Sequence, residues 1–386
     1  MKIAYCGPIS LRMLNGLGGI SYDMTAGYEY PFGACFVRAL HEEGHHISVV
    51  TCDRATDRQR NIEGERISIS VVPRRSTRAQ ILDCYRVERI ALASAIKESH
   101  AEVVHAQWTY EFAAAALQSG VPQVTTIRDS PWAIFRHTRH PYRLFRALYA
   151  YRVIPKLRTL TAVSPYVAKQ VSLRYRVRSP AIIVPNGLDS RLFRARDRDA
   201  AVPGYLTFAT VSAWDRRKNV PALLRSFAEV RSCVPSARLV LVGSGLGDGE
   251  VGQRWARGNG LDRGVEFRGR MPYLDLLELL RTSVDVFVHT TLEESFCMAI
   301  LEAMAQSVPV VGYSDAGAVP WLLDDGRAGV LVQSSSPREL TNAMKSFCKD
   351  SGPRQLGARG YQRAKKLFTM DNVVKQYLSI YKSVSS

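Results

Sequence analysis

Thr290-Thr291-Leu292-Glu293-Glu294-Ser295-Phe296-Cys297-Met298-Ala299-Ile300-Leu301-Glu302-Ala303-Met304-Ala305, followed by Val308-Pro309-Val310-Val311, is the stretch on which the fold turns. A polar segment leads into a helix expected to begin near Phe296, and a short, wholly apolar run follows at once. That order, loop to helix to buried strand, is the unit from which parallel α/β sheets are wound. With the helix starting near Phe296, Glu294 stands at its mouth and Glu302 about 12 Å along the axis. The free N–H groups of a helix N-terminus suit a phosphate, and a carboxylate accepts hydrogen bonds from sugar hydroxyls.

Outward from this stretch the alternation continues. Strands are expected at Leu206–Val211, Arg238–Val242, Val265–Phe267, Val284–Val288 and Gly329–Val332, with helices between them. An earlier series runs through Lys2–Cys6, Ile47–Cys52, Ile67–Val72, Val103–His105, Val121–Ile127, Leu160–Val163 and Ala181–Val184. The two series are separated by Pro185-Asn186-Gly187 and an Arg/Asp-rich stretch. The chain has 386 residues, which at roughly 100–200 residues per domain suits two domains. The expected division is 1–190, 191–366 and a last helix over 367–386 that crosses back to the first domain. Doubly wound sheets bind ligands outside the carboxyl ends of their strands, so a site in the cleft between the domains is expected.

An E-x7-E pair followed by Ala303-Met304-Ala305 and Val308-Pro309-Val310-Val311 resembles the retaining glycosyltransferases of family 4. The resemblance implies the GT-B architecture, two Rossmann-like doubly wound domains, and transfer of a sugar from a nucleotide-sugar donor to an acceptor hydroxyl in glycolipid, polysaccharide or other glycoconjugate synthesis. It assigns the donor sugar to Glu294 and the ribose to Glu302, with Ser295, Phe296, Cys297 and Met298 lining the same loop. Val184-Pro185-Asn186-Gly187-Leu188-Asp189 is similar to the family's interdomain segment. Arg216-Arg217-Lys218-Asn219 resembles its diphosphate turn, in which Lys218 neutralises the leaving nucleoside diphosphate. Ala213 stands where the family has arginine, leaving Arg216 or Arg217 to substitute. Gly243-Ser244-Gly245 is similar to the loop under the diphosphate, and Gly18-Gly19 to the phosphate or acceptor loop of the first domain. Arg128 occupies the place of a family histidine; a guanidinium is a fixed charge where imidazole exchanges protons, which suggests an anionic acceptor. No metal site and no cofactor are expected, the nucleotide-sugar being a co-substrate.

Two other readings remain. Gly243-Ser244-Gly245-Leu246-Gly247 with Glu266 keeps an NAD-dependent Rossmann oxidoreductase open. A catalytically silent glycosyltransferase homologue is compatible with Ala213, Arg128 and Trp321, the last in a position where the family often has glutamate. The linker letters Asp197-Arg198-Asp199 spell D-x-D but do not end a strand.

Composition narrows the partners. Fifty-two Lys and Arg against 35 Asp and Glu leave +17. Between Asp129 and Asp189 there is no acid and there are 11 basic residues, interleaved with Trp132, Phe135, Tyr142, Phe145, Tyr149 and Tyr151. Arg139, Arg143 and Arg146, at i, i+4 and i+7, are expected on one helix face toward an anionic membrane surface through 136–178. A solvated helix face is the plainer alternative. No nucleic-acid reader spacing appears. No signal-peptide core or spanning run is found, so the chain reads as cytoplasmic or peripheral on the inner face of a membrane. Seven scattered cysteines, never as C-x-x-C, read as reduced thiols. Tyr22, Tyr28 and Tyr30 are further acceptor-side candidates.

Overall fold

The computed structural model describes residues 1–21, 30–195, 206–349 and 355–385. Tyr22, Tyr28 and Asp197-Arg198-Asp199 lie outside them. The chain forms two compact units, Met1–Gly187 with Met370–Ser386, and Leu188–Thr369.

The first unit is built on β1 (Lys2–Cys6), β2 (His46–Asp53), β3 (Arg60–Gly64), β4 (Ile67–Pro73), β5 (Val103–Gln107), β6 (Gln123–Ile127), β7 (Thr159–Ala162) and β8 (Ile182–Ile183), in the order β3-β4-β2-β1-β5-β6-β7-β8. All pairings are parallel except β3 with β4. Sequence reading missed β3, because Arg-Asn-Ile-Glu-Gly is a mostly exposed edge strand with no apolar face to betray it. The last helix, Met370–Ser385, packs into this unit's core through Val373, Val374, Tyr377 and Tyr381. Tyr377 Oη meets Thr126 Oγ1 at 2.8 Å, and Tyr381 Oη meets His105 Nδ1 at 2.5 Å.

The second unit contains β9 (Thr207–Val211), β10 (Arg238–Val242), β11 (Val265–Gly269), β12 (Val286–His289), β13 (Val310–Tyr313) and β14 (Val330–Val332), all parallel, in the order β11-β10-β9-β12-β13-β14. In both sheets the strand order reverses once, at β1/β5 and at β9/β12. The carboxyl ends of the strands at such a reversal are the place where sheets of this kind bind ligands.

The single basic helix face expected across residues 139–146 is corrected. The chain forms two helices, Pro131–Thr138 and Pro141–Val153, with Arg139 in the left-handed region between them at φ 49°. Proline disfavours helix at the preceding residue, and His140 caps the new helix by accepting from the Tyr142 N–H. Arg146 turns inward: it is 7% exposed, its guanidinium 3.6 Å from the Tyr110 ring centroid and 5.0 Å from that of Trp108.

Candidate active site

The switch point of the second unit brings the loops after β9 and β12 together. The Leu292 N–H donates to Arg217 O at 2.8 Å and Thr290 Oγ1 to Lys218 O at 3.2 Å, so the two loops are one structure. Lys218 Nζ lies 2.5 Å from Glu294 Oε1. Arg217 Nη1 donates to Glu293 O at 2.7 Å and stands 3.8 Å from both the Glu293 and Glu294 carboxylates. The structure thereby separates the two candidate arginines: Arg217 faces the carboxylates, while Arg216 is exposed.

His289, the last residue of β12, completes the cluster. Its Nε2 is 3.2 Å from Glu294 Oε1 and 3.3 Å from Cys297 Sγ. Sequence reading ended this strand at Val288 and passed over the histidine; its place at the carboxyl end of a strand was the available signal. Burial raises the Glu294 carboxyl, but the Lys218 cation, the His289 hydrogen bond and Arg217 more than offset this and hold it well below the ordinary carboxylate range. Burial likewise lowers His289, against the pull of Glu294.

The helix begins at Met298, two residues later than expected, and runs to Ala305. Cys297 precedes it at φ 81°, ψ 86°, a left-handed turn that ends the loop. Ser295 and Met298 are partly exposed, whereas Phe296 is buried against Trp321 and Phe368, ring centroids 6.1 and 5.7 Å away. Trp321 is thus a packing residue. Glu302 is 8% exposed; burial raises its carboxyl to about 7, against a hydrogen bond from Tyr273.

Gly243 carries the loop after β10. At φ 128°, a Cβ on it would stand 1.8 Å from Ser212 O, so only glycine lets the two strand ends meet. Ser244 O accepts the Trp214 N–H at 2.8 Å. The dinucleotide reading does not fit here. Glu266 pairs with Arg268 on edge strand β11, Nη2 to Oε2 2.7 Å, and Glu250 Oε2 occupies the Gly247 N–H at 2.6 Å.

In the first unit, the switch point gathers a second polar group. Arg128 is 8% exposed; Nε donates to Gln107 Oε1 at 2.7 Å, Nη1 to Asn186 Oδ1, and the guanidinium lies 4.2 Å from the Phe32 ring centroid. Its Nη2 is buried with no hydrogen-bond partner among the described residues, as are Nε and Nη2 of Arg146. Gly18 is committed to packing: its carbonyl accepts the Glu65 N–H at 2.7 Å, and a Cβ would strike Glu65 O at 2.5 Å. Gly19, at φ 76°, has open space where a Cβ would stand.

Two family models match: Glycosyl transferases group 1 over residues 205–350, and Glycosyltransferase Family 4 over residues 35–192. The chain belongs to the family 4 glycosyltransferases. Its relatives include the D-inositol 3-phosphate glycosyltransferase of Corynebacterium kroppenstedtii, 32% identical over 44% of this chain and 38% of that one. Another is the phosphatidyl-myo-inositol mannosyltransferase of Mycobacterium leprae, 27% identical over 54% of this chain and 55% of that one. The chain thus aligns with about half or less of the length of these two relatives. Among solved structures, sucrose-phosphate synthase from Thermosynechococcus elongatus superposes with TM-score 0.76 at 18% identity, covering 99% of this chain and 98% of that one. Anabaena HepE in complex with UDP gives 0.69 at 16%, covering 99% and 100%. These likenesses give this family 4 chain the GT-B fold, and the family sets aside the oxidoreductase reading.

Proposed function

We propose that this glycosyltransferase moves a sugar from a nucleotide-sugar donor to an acceptor hydroxyl with retention and without a metal catalyst. The carrying observation is the Lys218–Glu294 contact of 2.5 Å, set beside Arg217 at the switch point of the second unit. Lys218, with Arg217, holds the donor diphosphate and stabilises the charge that grows on it as the bond to the sugar breaks. Glu294 receives donor-sugar hydroxyls and Glu302 those of the ribose. In the step itself the C–O bond to the diphosphate breaks, a C–O bond to the acceptor forms on the same face, and the acceptor proton passes to the departing phosphate oxygen. That accounting needs no base from the protein, which is consistent with arginine at 128.

An anionic acceptor fits the first unit. Arg128 and Arg146 are buried, with guanidinium nitrogens that lack hydrogen-bond partners among the described residues, and such groups are costly unless a ligand meets them. Two relatives named for inositol phosphate and phosphatidyl-myo-inositol support the same reading. The acid-free segment also leaves Leu148, Tyr151 and Leu173 exposed near Arg152, Lys169 and Arg174, a mixture suited to anionic headgroups at an inner membrane face. No helix of the described residues is long and apolar enough to cross a membrane.

A thermal-shift panel of UDP-, GDP- and ADP-sugars, followed by transfer assays with phosphorylated acceptors, tests the reading. Stabilisation by one nucleoside diphosphate with transfer is expected. Donor binding with neither transfer nor hydrolysis establishes the silent homologue instead, and no diphosphate binding by calorimetry overturns the proposal. Flotation with anionic and neutral vesicles tests the membrane surface separately.

A further inference from the structure

At the end of β12, Glu294 of the proposed donor site meets two residues that sugar transfer does not call on, His289 and Cys297, and the three form a ligand set. His289, Glu294 and Cys297 are buried, and one ligand-type atom from each lies within 4.8 Å of the others. Imidazole nitrogen, carboxylate oxygen and thiolate sulfur are the donors zinc takes, at bond lengths of about 2.0–2.3 Å. Placed at tetrahedral angles, such bonds put neighbouring donor atoms roughly 3.3–3.6 Å apart. The observed separations, 3.2 Å from His289 Nε2 to Glu294 Oε1 and 3.3 Å from His289 Nε2 to Cys297 Sγ, are already close to that spacing.

The backbone supports this arrangement. Cys297 holds φ 81°, a region that favours glycine, yet it carries a side chain, and that side chain contacts the imidazole. Without metal, His289 Nε2–H donates to Glu294 Oε1; Nδ1 has no hydrogen-bond partner among the described residues, so metal binding moves the proton to Nδ1 and frees the Nε2 lone pair for the cluster. Access comes from the side of Glu294, whose side chain is 11% exposed, and Lys218, at 17%.

We propose that His289, Glu294 and Cys297 form a reversible site for a thiophilic divalent cation of the zinc class, and that its occupancy inhibits the enzyme. On binding, the Cys297 thiol gives its proton to solvent, neutral His289 coordinates through Nε2, and Glu294 supplies a carboxylate oxygen. Two cations face the cluster, Lys218 at 2.5 Å and Arg217 at 3.8 Å from Glu294 Oε1. The metal competes with them for that carboxylate, and Lys218 must swing aside. Inhibition follows from losing the Lys218–Glu294 arrangement; this consequence rests on the donor-site reading, whereas the binding itself does not. Magnesium and calcium, which prefer all-oxygen sites, do not substitute.

The test uses the full chain, reduced and freed of metal with a chelator. Zinc affinity is measured by competition with a chromophoric chelator, and cobalt is added as a spectroscopic probe. Wild type is expected to bind one zinc and to give a thiolate-to-cobalt charge-transfer band that excess magnesium does not diminish. Cys297→Ser should lose the band, and Cys297→Ser and His289→Gln should each weaken zinc binding by at least about tenfold. Cys233→Ser, which removes an exposed thiol, should change neither. An unchanged band and affinity in Cys297→Ser, or no band in wild type, overturns the proposal. Zinc should also abolish the thermal shift produced by the bound nucleoside diphosphate. If zinc binds as described but no diphosphate ever does, the donor-site reading fails and the metal site stands. If diphosphate binds and zinc does not, the reverse holds.

Discussion

Glu294 and Glu302, eight residues apart in one motif, are driven in opposite directions by their surroundings. Both are buried, but only Glu294 has cations against it, so its contribution to stability is present above the ordinary carboxylate range and is lost only in strong acid. Glu302 is raised from 4.5 to about 7, so its contribution is full below about 4.5 and is lost as pH rises through about 7. Glu302→Gln should therefore raise the unliganded Tm at pH 8 and leave it nearly unchanged at pH 5. On the proposed donor reading, ribose hydroxyls donate to this carboxylate in its ionised form, so donor affinity should fall roughly tenfold from pH 7.5 to pH 6 in wild type and stay flat in the variant, by calorimetry. Lys218→Ala should cost about 10²–10³ in transfer rate, as losing a donor to a developing oxyanion does. Arg217→Ala should cost more than Arg216→Ala, since only Arg217 faces the carboxylates. The sequence presented those two arginines as equals, because a turn's φ/ψ decides which side chain points inward and adjacent arginines carry no signal about it. Glu294, Lys218 and Glu302 were legible because the motif fixes residue type and spacing together; His289 was not, because one histidine after an apolar run has the look of any strand end.

At the scale of elements, strands were legible where burial on both faces leaves an unbroken apolar run, as in Val286-Phe287-Val288 of β12 and Val310-Val311 of β13, strands whose residues are all buried. β3 was illegible for the converse reason. The helix break at Arg139 is invisible to charge periodicity, which runs on across His140-Pro141, where backbone sterics take precedence. One loop tests how local geometry supports the donor site. Gly243 sits where β10 ends and Ser212 where β9 ends, and the Ser212 N–H donates to Val242 O at 2.8 Å. Gly243→Ala adds both a φ penalty and a methyl 1.8 Å from a backbone oxygen, so the loop must move as a unit. A loss of at least about 2–3 kcal/mol is expected in urea unfolding, with weaker nucleoside diphosphate binding in the protein that remains folded. An unchanged midpoint would mean that the loop relaxes freely and does not brace the site.

For the molecule as a whole, the informative feature is the return of the chain after Thr369. Met370–Ser385 belongs to the first unit although 182 residues of the second precede it. No local pattern in the helix says which sheet it serves; its apolar stripe of Val373, Val374, Tyr377 and Tyr381 would suit either. The structure answers through chemistry: Tyr377 and Tyr381 bring hydroxyls that satisfy buried Thr126 and His105. Burying a large apolar side chain is worth about 1.5–3 kcal/mol, so Met370 and these four residues together contribute on the order of a domain's entire net stability. Removing the helix also leaves His105 and Thr126 short of partners in a dry core, which costs more. A chain ending at Thr369 should therefore lose the fold of Met1–Gly187, while the sheet of the second unit keeps its own core. Limited proteolysis followed by mass spectrometry checks this: the resistant fragment should map within Leu188–Thr369 and still be stabilised by the nucleoside diphosphate that stabilises the intact chain. A truncated protein that resists protease over both units would show that the first sheet closes its core without the returning helix, and that the tyrosine hydroxyls only decorate a fold already complete.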